Sequence, residues 1–182
     1  MSARPFIKWV GGKTQLLPEI RQRYPEIITK YCEPFVGGGA VLFDVLQTFH
    51  PNEVLINDIN PELINLYEKI RDNCEPLIQI LEHFQTEYLE TPETGRQDLY
   101  LGKRATYNHF IAERNPEHNL EKAALFIYLN KTCFNGLYRV NRNGLFNVPF
   151  KRAKNPLICD ASGVPAKAVG CSALRYRSSS LL

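Results

Sequence analysis

The spacing of apolar residues changes several times along the chain, and each change marks an element. Residues 31–36 form a short apolar run that ends in Gly37-Gly38-Gly39. Residues 40–49 follow with apolar positions at helical spacing. Residues 54–57 form a second short run, closed by Asp58. Asn60-Pro61 offers an N-cap and a first helical residue, and Leu63, Ile64, Tyr67 and Ile70 give the next helix one apolar face. Strand, glycine loop, helix, strand, helix over residues 31–71 predicts the start of an open parallel α/β sheet. Beyond Asn73 the period is helical: residues 76–88, 98–113 and 120–131 read as helices, with linkers at 91–95 and 115–119. Residues 137–140 and 145–150 then flank Asn141-Arg142-Asn143-Gly144, which predicts a hairpin around a Gly-containing turn. From Ala161 onward the chain is rich in Ser, Ala and Gly without apolar periodicity, and no continuation of the sheet is expected there.

The net charge of +3 conceals an uneven distribution. Residues 1–121 carry 12 basic and 18 acidic side chains, whereas residues 122–182 carry 10 basic side chains and one acidic one, Asp160. The predicted hairpin lies in this acid-poor segment, and a one-sided basic stretch is the electrostatic footprint of phosphate-backbone binding. Five cysteines without a Cys-x-x-Cys pair and four scattered histidines predict free thiols and no metal site. No apolar run approaches the ~20 residues that span a bilayer, and residues 6–10 are too short for a secretory signal. A cytoplasmic protein with no membrane partner is expected.

Glycines directly after a strand and before a helix let a ligand approach the backbone where helix N–H groups point outward. Asp58 stands at the next strand end, about 20 residues on, where a carboxylate can accept both hydroxyls of a ribose. Together they predict a nucleoside-containing cofactor. Three consecutive glycines after Glu33-Pro34-Phe35 do not match the spaced glycines of a dinucleotide site. Gly12-Lys13-Thr14 resembles the end of a phosphate-binding loop, but the first glycine of that motif would fall on Ile7, and no strand precedes it.

Several segments occur in a telling order: Phe6-Ile7-Lys8-Trp9-Val10-Gly11-Gly12-Lys13, then Glu33-Pro34-Phe35-Val36-Gly37-Gly38-Gly39, then Asn57-Asp58-Ile59-Asn60. Tyr128-Leu129-Asn130-Lys131, Phe134-Asn135-Gly136-Leu137-Tyr138-Arg139 and Phe146-Asn147-Val148-Pro149-Phe150 follow. Over roughly residues 4–160 the chain closely resembles the Dam-type site-specific DNA adenine methyltransferases. The resemblance implies a Rossmann-like methyltransferase sheet with an inserted helical DNA-recognition module and β-hairpin. It implies S-adenosylmethionine as cofactor, held by Trp9, Lys13, Glu33, Pro34, Phe35, Gly37, Gly38, Gly39 and Asp58. Trp9 would make apolar contact, Lys13 would sit near the cofactor carboxylate, and Asp58 would hold the ribose. Double-stranded DNA would be the macromolecular partner, and a cognate restriction endonuclease would belong to the same system without direct contact. Arg139 is the first candidate base reader, since an Arg on a hairpin can bond two acceptors on guanine, and Lys8 is the second. Leu137 would wedge into the stack and Asn135 would hold backbone or an extruded nucleotide. Arg142, Lys151 and Arg152, with Lys131 and Lys154, would contact phosphates.

The family's chemistry relies on an Asp-Pro-Pro-Tyr segment after the hairpin, and this chain contains no Pro-Pro. Asn147-Val148-Pro149-Phe150 lacks the first proline and belongs to the hairpin. No catalytic residue is therefore assigned. The expected organisation is a cofactor-binding part over residues 1–72, a DNA-recognition module over 73–155, and an atypical tail over 156–182, with a frameshift or early stop expected near residue 160. The sheet is expected to be incomplete. The function expected is transfer of a methyl group from S-adenosylmethionine to the exocyclic amine of adenine in DNA. The alternative is a non-catalytic DNA-binding fragment that needs a second chain.

Overall fold

The structure, a computed structural model, describes residues 5–160 and the strand Leu174–Arg177. The described chain begins with an irregular strap over residues 5–12, which turns where the Gly12 N–H donates to Trp9 O (3.1 Å), followed by a 3-10 turn at Lys13–Leu16 and the short helix α1 (Leu17–Arg21). These turns were not foreseen, because residues 13–21 bury no side chain and so show no apolar period. Arg21 fastens the segment: its guanidinium donates to the buried Asp44 carboxylate, which also accepts the Tyr24 hydroxyl at 3.1 Å.

The predicted strand–loop–helix unit is present. Strand β1 (Lys30–Glu33) leads through the glycine loop into α2 (Ala40–Phe49), and β2 (Glu53–Asn57) returns beside β1. The two strands are parallel, with Lys30 opposite Glu53 and Glu33 opposite Ile56. Asn60 begins α3 (Pro61–Asp72) as expected: its side-chain oxygen accepts the N–H groups of Glu62 (3.0 Å) and Leu63 (3.3 Å), two donors a helix start would otherwise leave unpaired. The helical block follows as α4 (Cys74–Glu90), α5 (Arg96–Glu113) and α6 (Asn119–Thr132).

One expectation is corrected. The tail was read as holding no strand, yet Leu174–Arg177 forms β3, parallel to β2, with Val54 opposite Leu174 and Asn57 opposite Arg177. The sheet order is β1-β2-β3. Leu-Arg-Tyr-Arg does alternate apolar and charged residues, but over four positions, the minimum from which a strand can be argued. The remaining tail residues lie outside the described part.

A continuous apolar cluster joins α2, β2 and α3 to the helical block. Helix α6 lies at its centre, against α3, α4 and α5. Residues 122–130 of α6 are all buried, which suits the unbroken apolar run over residues 123–129. Among them Lys122 places Nζ 3.1 Å from Oε2 and 3.3 Å from Oε1 of Glu62 on α3. Among the described residues, no helix is long and apolar enough to cross a membrane.

The predicted hairpin is an antiparallel excursion rather than two regular strands. It is pinned by bridges at Cys133–Phe150 and Val140–Phe146. The tip closes where the Asn141 N–H donates to Leu145 O (2.9 Å) and the Gly144 N–H to Asn141 O (3.0 Å). Asn141 Oδ1 also accepts the N–H groups of Asn143 and Leu145. The base is tied into the helical block, since Tyr100 donates its hydroxyl to Val148 O at 2.7 Å and Asn108 exchanges hydrogen bonds with the backbone of Phe146.

Candidate functional site

The glycine loop is built around Asp58. Its Oδ2 accepts the Gly37 N–H at 3.0 Å and its Oδ1 accepts the Asn60 N–H at 3.0 Å. The buried carboxylate thus joins the end of β2 to the loop after β1 and to the start of α3. Three further bonds complete the frame: the Val36 N–H donates to Asn57 O (3.0 Å), the Gly39 N–H to Val36 O (2.9 Å), and the Asn57 side-chain amide to Pro34 O (3.1 Å). Each carboxylate oxygen keeps acceptor capacity beyond the one bond it makes.

The glycines are required, and by neighbours within the protein. A Cβ on Gly37 would stand 2.9 Å from Trp9 Cδ1, and one on Gly38 would stand 3.2 Å from Trp9 Cβ. A Cβ on Gly39 would meet the Tyr67 hydroxyl at 2.6 Å and Phe43 Cε2 at 2.7 Å. Tyr67 uses the room to donate its hydroxyl to Gly37 O at 2.9 Å. Gly39 also adopts φ 77°, a left-handed conformation that disfavours any side chain. Gly39→Ala is therefore expected to cost about 2 kcal/mol or more, by overpacking and backbone strain together. A urea melt would read this as a lower midpoint at unchanged slope.

Trp9, half-buried, lies across the loop with its ring stacked near Phe126 (6.1 Å, 19°) and Tyr138 (5.7 Å). Phe35 is 74% exposed beside the loop and Ile59 is 88% exposed beside Asp58. Large apolar side chains so exposed at a strand end offer an apolar rim for a planar or aliphatic ligand. Pro34 is also exposed.

Lys13 and Glu33 face each other. Lys13 donates to Glu33 Oε1 at 3.1 Å and to the Phe35 carbonyl, while the Tyr31 hydroxyl donates to Glu33 Oε2 at 2.8 Å. Burial pushes the Glu33 carboxyl up from its ordinary range, and the bonds from Tyr31 and Lys13 oppose that rise. Burial raises the Tyr31 hydroxyl as well, helped by the Glu33 charge. The Lys13 ammonium thus has two partners inside the protein, with one N–H left over for a third.

On the hairpin side, Arg139 is exposed and its guanidinium is held by Asn147 across the excursion. Nε donates to Asn147 Oδ1 at 2.8 Å and Nη2 to Asn147 O at 3.2 Å. Asn147 therefore aims Arg139, a role its position in the sequence did not announce. Lys8, Asn135, Arg142, Lys151 and Arg152 are all exposed. Asn135 sits at φ 55° in the turn before Leu137. Leu137 is half-buried against the apolar cluster. No group of three or more metal-ligating side chains is found among the described residues.

Comparison with known proteins places these features in context. A family model described as D12 class N6 adenine-specific DNA methyltransferase matches residues 9–164. The chain is 44% identical over 165 residues to the type II methyltransferase M.MjaIII of Methanocaldococcus jannaschii, a match that covers 88% of this chain and 56% of that protein. It is 38% identical to the DNA adenine methylase of Haemophilus influenzae, covering 81% of this chain and 46% of the other. It is 36% identical to the DNA adenine methylase of Escherichia coli K12, covering 87% and 51% respectively. The chain spans about half the length of these relatives.

Proposed function

Since the chain belongs to the D12 class N6 adenine-specific DNA methyltransferases, we propose that it forms the S-adenosylmethionine site and the DNA-reading hairpin of an enzyme that methylates the exocyclic amine of adenine in double-stranded DNA. The observation that carries this reading is the seating of Trp9 over Gly37 and Gly38 beside the Asp58 anchor, with exposed Phe35 and Ile59 as the rim. That arrangement fits an adenosyl group with an aliphatic arm. Asp58 has lone pairs left for ribose hydroxyls, Trp9, Phe35 and Ile59 supply apolar contact, and Lys13 offers a cation to the amino-acid end. Glu33, Pro34 and the three glycines shape the floor. S-adenosylmethionine supplies the electrophilic methyl when bound.

The acceptor amine is a poor nucleophile because its lone pair is delocalised into the ring, and the base must leave the helical stack before it can be reached. Arg139, aimed by Asn147, would read guanine in the major groove, with Lys8 as a second reader. Leu137 would enter the stack, and Asn135 would hold backbone or the displaced nucleotide. Arg142, Lys151 and Arg152 would neutralise phosphates, which fixes position without specifying sequence. The working division is a cofactor part over residues 1–72, a recognition part over 73–155 and a remainder over 156–182. A cognate restriction endonuclease in the same system completes the proposal.

Binding and transfer are expected to separate in this chain. It contains no Asp-Pro-Pro-aromatic segment to draw on the amine hydrogens and stack on the base. The purified 182-residue chain should bind S-adenosylhomocysteine and, with steep salt dependence, duplex DNA, while methyl transfer stays at background. Arg139→Ala should weaken DNA binding by about 1–3 kcal/mol, the usual worth of a bidentate base contact, and flatten its sequence preference. Calorimetry for the cofactor analogue and anisotropy for the duplex would read both. Failure to bind the analogue would overturn the cofactor reading, and robust transfer of label to DNA would overturn the expected separation.

A further inference from the structure

Asn130 is 4% exposed near the end of α6, and its amide is fully engaged with two segments remote from each other in the chain. Oδ1 accepts the Lys8 N–H at 2.9 Å. Nδ2 donates to Lys8 O at 2.9 Å and to Gly136 O at 2.9 Å. One of these segments continues into Trp9 and the strap over the glycine loop. The other continues into Leu137 and Arg139 of the hairpin. The two are in close contact: Gly136 sits at φ 64°, and a Cβ there would meet Lys8 Cβ at 2.7 Å and Cδ at 2.8 Å. An aromatic bridge runs in parallel. Tyr138, between Leu137 and Arg139, has its ring 5.7 Å from Trp9 and stacked on Phe126 at 5.2 Å and 20°. Neither the strap nor the base of the hairpin can shift without disturbing the other.

We propose that Asn130 is a positioning residue that makes the two binding events of this chain interdependent, so that a ligand seated beside Trp9 sets the hairpin for DNA and DNA on the hairpin sets the strap for the cofactor. The inference rests on the cofactor and DNA assignments above. Through the shared junction, a shift that a ligand imposes on one segment is imposed on the other. Whichever ligand binds first bears the cost of that shift, and the second binds tighter by the same factor in either order. Tyr138 carries the remainder of the coupling through its contact with Trp9.

The test uses the full 182-residue chain and exploits Trp9, its single tryptophan. S-adenosylhomocysteine is titrated by Trp9 fluorescence, with and without a saturating short duplex that carries guanine–adenine steps. A fluorescein-labelled copy of the duplex is titrated by anisotropy, with and without S-adenosylhomocysteine. In the wild type each ligand should tighten the other by about 5–20-fold, equally in both directions. Asn130→Asp keeps the shape and the acceptor for Lys8 while losing both donors, and should bring the factor below about twofold. Tyr138→Leu removes the aromatic bridge and should also lower it, so it decides the matter if Asn130→Asp does not fold. A purely structural Asn130 would lower the melting temperature and both affinities while leaving the factor intact, and that result overturns the proposal. So does a wild-type factor of one with both ligands bound, or full coupling in a folded Tyr138→Leu chain if Asn130→Asp is unfolded. A wild type that binds neither ligand overturns the underlying assignment, and this inference with it.

Discussion

Asp58→Ala is expected to destabilise the chain by about 3 kcal/mol and to abolish detectable binding of S-adenosylhomocysteine. The carboxylate accepts the backbone N–H groups of Gly37 and Asn60, each at 3.0 Å, from a buried position. Hydrogen bonds to a charged group are worth about 1.5–3 kcal/mol each, and an N–H left unpaired in a buried site costs about 1–3 kcal/mol. The alanine variant strands both donors at once, where water can relieve them only in part. Asp58→Asn retains one acceptor oxygen and should lose roughly half as much. Because the same side chain sets the glycine loop against β2, loss of the anchor also removes the floor on which Trp9 rests. Urea unfolding followed by circular dichroism gives the stability, and calorimetry gives the binding. An alanine variant within about 1 kcal/mol of wild type would show that backbone bonds alone hold the loop.

Lys122→Met should be similarly severe, for a different reason. Lys122 on α6 and Glu62 on α3 form an ion pair with both side chains largely enclosed, 10% and 14% exposed. Removal of one partner leaves an uncompensated charge in a poorly solvated place, which typically costs about 3–5 kcal/mol. The pair itself is not worth that much, since its attraction is offset by the cost of desolvating two ions. The double variant Lys122→Met with Glu62→Gln should therefore recover most of the loss. Four denaturation curves form the double-mutant cycle. Additive effects of the two single changes would mean that water reaches the pair and that α3 and α6 are not joined there.

The strand–loop–helix unit was legible because its signals are local. Gly37-Gly38-Gly39 followed by the apolar period of residues 40–49, and Asn60-Pro61 at a helix start, each depend on neighbours a few residues away. The reason for the glycines was not legible. Their missing side chains make room for Trp9, Tyr67 and Phe43, which are brought there only by folding. The role of Asn130 is invisible in the sequence, since an Asn inside a helix advertises none and its partner Lys8 lies 122 residues away. Asn147 escaped for the same reason: what it does is hold Arg139 across the excursion. The bonds of Lys13 to Glu33 and to the Phe35 carbonyl were not legible either, because those partners lie 20 and 22 residues away. The strand Leu174–Arg177 was missed because a partner strand, rather than its own composition, defines it.

The burial of α6 on all sides bears on how such proteins can be re-targeted. A helix shared by α3 on one side and by α4 and α5 on the others is no detachable cassette. Transplanting the whole helical block from a relative would break the packing of α6 on α3 and leave mismatched surfaces on both halves. The tip at residues 141–144 is exposed and closes on its own hydrogen bonds. On the proposed reading of the hairpin, grafts confined to that tip and to the exposed Arg139 would change what is read without reopening the interior.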